Sequence, residues 1–136
     1  MKKRKKEKNI IGRIELVNFP ELNIFGIEAK IDTGAYSSAL HCEYINEQNG
    51  QLCFQIFKNT NVLCFDKFEK KKIKNSFGDW EERYLIKTLL VIGQRKIKIT
   101  LSLTNREKMR YPVLLGRKAI KGKFLVDVEK KYLAAR

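Results

Sequence analysis

The chain has 136 residues, of which 43% are apolar and 32% charged, which fits one soluble globular domain rather than several. No apolar run approaches the roughly 20 residues that a membrane-spanning helix requires, so the sequence argues against a protein with a membrane-spanning helix. The formal net charge of +14 favours polyanionic partners such as nucleic acid, an anionic membrane surface or an acidic peptide.

The first eight residues are predicted to form a disordered basic arm, because they include six lysines or arginines and a single acid, Glu7. Residues 9–136 are predicted to form one domain, which keeps most of the positive charge. No apolar stretch of about 7–15 residues follows the basic residues, as a secretory signal would require. We therefore expect a cytoplasmic location.

From Ile10 onward the chain reads as many short strands. The clearest lies over 24–32, where Ile27, Ala29 and Ile31 alternate with polar or small residues. The other predicted strands cover 10–19, 38–45, 52–57, 62–65, 83–92, 95–103, 111–116 and 124–128. One helical turn is predicted over 117–121. Many strands with almost no helix predict an all-β fold, built as a closed or partly closed barrel.

The segment 29–35 reads Ala-Lys-Ile-Asp-Thr-Gly-Ala and places Asp32 directly after an apolar strand. Thr33 can hydrogen-bond locally, and Gly34 lets a second backbone or a substrate come close because it has no Cβ. Asp-Thr-Gly-Ala is the active-site signature of aspartic peptidases. It occurs once, so one chain would supply half of a two-aspartate site. The structural alternative is an ordinary turn aspartate.

The three cysteines and the single histidine give little support for a metal site. Cys42, Cys53 and Cys64 lack the close pairs of structural zinc sites, so we expect three partly buried thiols and no metal. His41 is predicted either to orient a substrate carboxylate or to pack under the Asp32 loop. Because the chain has no phosphate-binding loop and no HExxH motif, we expect no cofactor.

The landmarks together resemble the retropepsin-like aspartic peptidases, and more narrowly a bacterial family often labelled "ATP-dependent zinc protease" or RimB-like. The resemblance spans roughly residues 10–133. It is carried by KIDTGA at 30–35, SSALH at 37–41, ERY at 82–84, MR at 109–110, LLGR at 114–117 and FLVD at 124–127. It implies a retropepsin-like closed β-barrel with one short C-terminal helix that acts as a homodimer. It also implies a functional link to ATP-grasp glutamate ligases and an acidic, glutamate-extended peptide as substrate.

The resemblance implies an aspartic-peptidase mechanism. Asp32 of each protomer would share a proton with its twin, and the ionised carboxylate would activate a water that attacks an amide carbonyl. Thr33 would interlock across the two-fold axis, and Gly34 would offer its carbonyl to the substrate. These three are the predicted catalytic residues. A hairpin over 75–82 would close over the substrate as a flap.

The remaining predicted site residues would bind substrate: Ala35, His41, Phe77, Gly78, Arg83, Arg110 and Arg117. In viral retropepsins the arginine equivalent to Arg117 pairs with an aspartate just after the signature, but residues 36–38 contain no acid here. We therefore expect Arg117 either to find another acid, such as Asp127, or to face the cleft and bind a carboxylate.

Two other functions fit parts of the sequence. The charge and the aromatic residues among the bases would suit a basic β-barrel that binds nucleic acid. That alternative is not favoured, because no nucleic-acid motif is present and Asp32 would stand where a phosphate should go. A peptidase fold that serves as a non-catalytic partner of a glutamate ligase is the third hypothesis.

Overall fold

The computed structural model describes residues 8–57, 61–74, 77–105 and 110–134. Most of the predicted basic arm, the first two residues of the predicted flap, and Met109 of the MR motif lie outside the described residues. The strands are β1 Asn9–Gly12, β2 Ile14–Phe19, β3 Ile24–Ile31, β4 Ser38–Gln48, β5 Gln51–Ile56, β6 Val62–Phe65, β7 Glu69–Lys74, β8 Trp80–Ile92, β9 Arg95–Thr104, β10 Val113–Leu115 and β11 Phe124–Asp127. A 3-10 helix covers Pro20–Leu22, and helix α1 covers Arg117–Ile120.

Six strands close into a barrel in the order β10, β3, β2, β8, β9 and β4, and β4 pairs back to β10. The closing strand, β10, is only three residues long. Val113 lies opposite Ala29 of β3 on one side and opposite Leu40 of β4 on the other. The predicted all-β class and closed barrel with one short helix are confirmed.

The hydrophobic core fills the barrel interior and consists of the apolar residues at every second position of the strands. In β8 and β9 the inward positions include Ile86, Leu90, Leu101 and Leu103, all of which are buried. Fully burying one such side chain contributes about 1.5–3 kcal/mol relative to leaving it exposed. The predicted strands in this part of the chain are confirmed because their burial follows a local period of two residues.

Two cysteines are bonded to each other, so the prediction of three thiols was wrong. The β5–β6 pairing places Cys53 directly opposite Cys64, and the two form a disulfide. An interval of 11 residues gave no hint of this contact, because the contact depends on the strand register. Cys42 stays free and buried, and burial raises the pKa of its thiol to about 12.

Two hairpins extend beyond the barrel at the same end. Strand β4 pairs with β9 only as far as His41, opposite Thr104, while its pairing with β5 continues to Gln48. Strand β8 joins β9 from Tyr84 onward, so Trp80 to Arg83 pair only with β7. Strand β8 therefore starts earlier than predicted. Residues 80–82 of β8 were not predicted as strand because their apolar and polar residues do not alternate.

Candidate active site

Asp32 stands at the end of β3, at the start of the loop over 32–37, which we call the Asp32 loop. Its main-chain N–H donates to the Leu115 carbonyl at 2.8 Å, which ties the start of the loop to β10. Asp32 is half-buried, and Thr33 and Gly34 are exposed. The parallel β3–β10 pairing therefore presents the carboxylate at the barrel surface.

The loop folds back on the Asp32 side chain. The Gly34 N–H donates to Asp32 Oδ1 at 3.1 Å, and the Ala35 N–H donates to the Asp32 carbonyl at 3.2 Å. This is an Asx turn, which aspartate forms readily. A Cβ at Gly34 would lie 3.3 Å from Oδ1, a tight contact, so glycine leaves the carboxylate room. The turn holds one carboxylate oxygen in a defined direction.

The segment Leu114 to Arg117 clamps the loop from the other side. The main-chain N–H of Arg117 donates to the Ala35 carbonyl at 2.8 Å, and that of Lys118 donates to the Tyr36 carbonyl at 3.0 Å. Any Cβ at Gly116 would collide with the backbone of Tyr36 and Ser37. The KIDTGA and LLGR motifs therefore lie on the two sides of one backbone interface, and Gly116 allows their close approach.

Arg117 contacts the loop with its side chain as well. Its Nη1 donates to the Thr33 carbonyl at 3.0 Å, and its guanidinium carbon lies 5.9 Å from the centre of the Tyr36 ring. Among the ion pairs of the described residues, none joins Arg117 to Asp127. The Asp127 carboxylate instead accepts the Glu129 N–H at 3.0 Å. The Arg117 guanidinium thus bonds a backbone carbonyl of the Asp32 loop.

His41 lies away from the Asp32 loop in the strand register. The loop ends at Ser37, and Ser38, the first residue of β4, lies three residues and about 10 Å before His41 along the strand. The His41 ring is buried and stacks on Phe57 with centroids 4.4 Å apart. Burial lowers the pKa of His41, against a smaller raising effect of Glu43. This position gives no support to its predicted contact with substrate.

Phe77 and Gly78, the two substrate-binding residues predicted in the flap, lie where β7 turns into β8. Phe77 is 89% exposed, and Gly78 has a φ of +85°, which glycine adopts without strain. Trp80 follows, 68% exposed, with the Lys74 ammonium 6.0 Å from its ring centre. The turn thus carries an exposed aromatic surface.

Arg83 and Arg110 lie outside the Asp32 loop, on the β7–β8 hairpin and before β10 respectively. Arg83 lies in the β7–β8 hairpin and donates to Glu81 through Nε at 3.1 Å and Nη2 at 2.8 Å. Arg110 precedes β10 at the end away from Leu115 and is exposed. Ala35, in contrast, is part of the loop backbone.

Sequence reasoning missed Ser38 and Tyr36 as parts of the site. The buried Ser38 hydroxyl accepts the Gly116 N–H at 3.1 Å, which adds a side-chain bond to the clamp. Tyr36 is 58% exposed beside Arg117. Tyr36 follows the signature directly and Ser38 begins β4, and this closeness to the signature was the available signal.

Two surface grooves of the described residues lie away from the Asp32 loop. One of about 480 Å³ is lined by β8 and β9 together with Glu21, and another of about 430 Å³ lies beside Phe68 and Leu85. In the described part of the chain, no three His, Cys, Asp or Glu side chains cluster as metal ligands would. No helix there is long and apolar enough to cross a membrane.

Comparison with known proteins places this geometry in context. The model of the RimB-like family, described as retropepsin-like aspartic endopeptidase RimB, matches residues 10–136. A probable alpha-L-glutamate ligase from Shewanella halifaxensis is 34% identical over 135 residues, which cover 92% of this chain and 30% of the ligase. A second probable alpha-L-glutamate ligase, from Desulfotalea psychrophila, is 35% identical over 130 residues, which cover 88% of this chain and 28% of the ligase. The chain thus spans less than a third of the length of these curated relatives.

A solved structure agrees with the fold. The crystal structure of a Legionella pneumophila protein of unknown function superposes with a TM-score of 0.73 at 30% identity, covering 94% of this chain and 99% of that one. The family match covers the whole barrel, the Asp32 loop and the clamp that holds it. On this evidence the chain belongs to the RimB-like family of retropepsin-like aspartic endopeptidases.

Proposed function

We propose that this protein is a homodimeric aspartic peptidase that hydrolyses amide bonds in an acidic, glutamate-extended peptide. The observation that carries the proposal is the Asp32 carboxylate, which stands at the surface on a loop tied to β10 and clamped by Arg117. A loop held at this many points is preorganised for chemistry rather than free to adapt. Family membership supports the same assignment.

A second copy completes the proposed site. One chain carries one Asp-Thr-Gly signature, and the exposed Thr33 and Gly34 leave the loop open to a partner. In a two-fold symmetric dimer the two Asp32 carboxylates share one proton, since like charges about 3 Å apart do not both ionise easily. The ionised Asp32 takes a proton from water, the water attacks the amide carbonyl, and the protonated Asp32 donates to the carbonyl oxygen.

Thr33 and Gly34 act beside Asp32 in this proposal. Thr33 contacts its twin across the two-fold axis, while the Gly34 and Ala35 backbones bind the peptide. The β7–β8 hairpin acts as the flap: Phe77 covers the peptide, and Gly78 permits the movement. The exposure of both residues supports this role.

An acidic substrate fits the charge around the loop. Lys30 precedes Asp32, and Arg117 and Lys118 follow the clamp glycine; all three are exposed. Arg117 uses Nη1 for the Thr33 carbonyl and can direct its other nitrogens to a substrate carboxylate. Relatives named probable alpha-L-glutamate ligases support a substrate made by such a ligase and a functional link to it.

The test incubates the protein with oligoglutamate and with a neutral peptide of equal length, and identifies the products by mass. Asp32→Asn is the active-site variant, and Asp66→Asn is the matched control with the same charge change on an exposed loop. We expect hydrolysis of oligoglutamate by the wild type and by Asp66→Asn, and none by Asp32→Asn. Equal hydrolysis by Asp32→Asn would contradict the mechanism.

Two further readouts address the other hypotheses. Sedimentation of the wild type with and without oligoglutamate reports whether a dimer forms. RNA binding that Asp32→Asn leaves unchanged, without any peptide hydrolysis, would favour the nucleic-acid alternative. A folded dimer that binds oligoglutamate without cleaving it would favour a non-catalytic partner of a ligase.

A further inference from the structure

The β7–β8 hairpin leaves the barrel at a definite residue. The last β8 residue paired with β9 is Tyr84, opposite Leu103, and the cross-strand partner of Tyr84 in β7 is Lys70. Four pairs then follow toward the tip, from Lys71 opposite Arg83 to Lys74 opposite Trp80. Among the described residues these four pairs have no further strand beside them. The Lys70–Tyr84 pair is therefore the base about which the hairpin can bend.

One carboxylate from another hairpin binds both members of that base pair. Glu47, near the end of β4, lies 2.6 Å from Lys70 Nζ and accepts the Tyr84 hydroxyl at 3.2 Å. The Lys70 ammonium also lies 5.6 Å from the centre of the Tyr84 ring, and Phe68 packs against that ring at 5.9 Å. We call the Glu47, Lys70 and Tyr84 cluster the Glu47 brace.

The brace connects to a rigid part of the molecule. Glu47 lies opposite Leu52 of β5, which is fully buried. The next residue of β5 is Cys53, whose disulfide to Cys64 holds β6 on β5. The three strands β4, β5 and β6 therefore form a stapled sheet, and the brace ties the base of the β7–β8 hairpin to it.

The electrostatics of the cluster favour its charged form. The hydrogen bond from Lys70 lowers the pKa of Glu47, and the same bond raises the pKa of Lys70. Burial and the bond to Glu47 raise the pKa of the Tyr84 hydroxyl. The carboxylate, the ammonium and the neutral hydroxyl are thus the matched states near neutral pH.

We propose that Glu47 is a positioning residue that sets the angle and the mobility of the β7–β8 hairpin relative to the barrel. Under the proposed function this hairpin is the flap, so the brace controls how readily it closes over bound peptide. Glu47 takes no part in the chemical step. Because its carboxylate and Lys70 are partly exposed, the effect is a change of a few fold rather than a loss of function.

The test measures backbone amide hydrogen exchange in Glu47→Gln. We expect exchange at residues 71–74 and 80–83 to rise about two- to five-fold, with the barrel strands β2 and β9 unchanged. Glu69→Gln is the matched control, because it makes the same side-chain change within the β7–β8 hairpin itself and removes the long, exposed contact of Glu69 with Lys87 at 3.9 Å. The control should leave exchange at the wild-type level.

A double-mutant cycle separates the brace from a general charge effect. Lys70→Gln alone should raise exchange in the hairpin as Glu47→Gln does, and the double variant should raise it no further. Additive effects of the two changes would overturn the proposal. So would wild-type exchange in Glu47→Gln, or a rise that spreads evenly over the barrel.

The kinetic readout is kept separate from the exchange readout. With oligoglutamate, Glu47→Gln should raise KM about two- to five-fold and change kcat by a smaller factor, since hairpin closure contributes to holding the peptide. A fall in kcat with unchanged KM would contradict the positioning role. If the wild type hydrolyses nothing, the proposed function fails, while hydrogen exchange still decides whether the brace exists.

Discussion

The Asp32 loop and the β7–β8 hairpin are held in opposite ways. The loop is bonded through its backbone at Asp32, Ala35 and Tyr36 and gains a side-chain bond from Arg117. The projecting part of the hairpin has strand pairing on one side and is tied at its base by the Glu47 carboxylate. The difference indicates that the loop is held in one geometry at many points, whereas the hairpin can change its angle to the barrel. Under the proposed function the loop supplies the fixed catalytic geometry and the hairpin supplies an adjustable cover.

The largest effect is expected from a substitution that disrupts the clamp on the Asp32 loop. In Gly116→Ala the new methyl group would overlap the backbone of Tyr36 and Ser37, which cannot move aside as a flexible side chain could. We expect a loss of about 3 kcal/mol in the free energy of unfolding, at the upper end for overpacking, and a large loss of peptidase activity. Urea denaturation measures the first effect. The neighbouring exposed variant Lys118→Ala should change stability by less than about 0.5 kcal/mol.

A second change tests the sheet that supports the hairpin. Replacing Cys53 and Cys64 by serine removes the staple between β5 and β6, and we expect a loss of about 2–3 kcal/mol in the free energy of unfolding. A thiol reductant should lower the stability of the wild type but not of the double variant. Intact mass with and without alkylation reports the bond directly. Three alkylated thiols in the unreduced, denatured protein would show that no disulfide had formed.

The smallest effect concerns His41, which lies on β4 between the two regions. Its folded-state pKa is lowered from 6.5, mainly by burial, so the unfolded chain binds more protons as the pH falls through that range. Stability attributable to His41 is therefore complete above pH 6.5 and declines as the pH drops toward the folded-state pKa. In His41→Phe, which keeps a ring against Phe57, the decline of the urea midpoint from pH 7.5 to pH 5 should be shallower. Parallel declines in the two proteins would contradict this.

Much of the barrel could be predicted because its information is local. The alternation in 24–31 and 95–103 marks one buried face, and a period of two residues needs no knowledge of the partner strand. The same holds for Asp32, since a carboxylate followed by Thr33 and Gly34 directly after an apolar strand indicates a tight loop at a strand end. The helical turn predicted over 117–121 is likewise present, as helix α1 over Arg117–Ile120.

The contacts that sequence reasoning missed depend on strands far apart in the chain. Arg117 was expected either to pair with an acid or to face the cleft; its bond to the Thr33 carbonyl at 3.0 Å was not predicted, because it depends on β10 lying between β3 and β4. His41 was expected either to orient a substrate carboxylate or to pack under the Asp32 loop, and its stacking on Phe57 was not predicted. The contacts of Glu47 could not be predicted, because its partners Lys70 and Tyr84 come from a hairpin more than 20 residues away in the chain.

The alternating strands, the tight turn at Asp32 and the small residues beside it can all be inferred from the order of the amino acids. They follow from local backbone sterics and from the burial of every second side chain. The strand that closes the barrel, the pairing of the cysteines and the groups that hold the loop and the hairpin become visible only in the folded chain. Those outcomes depend on strand register, and register is set by the summed packing of the whole barrel rather than by any one segment.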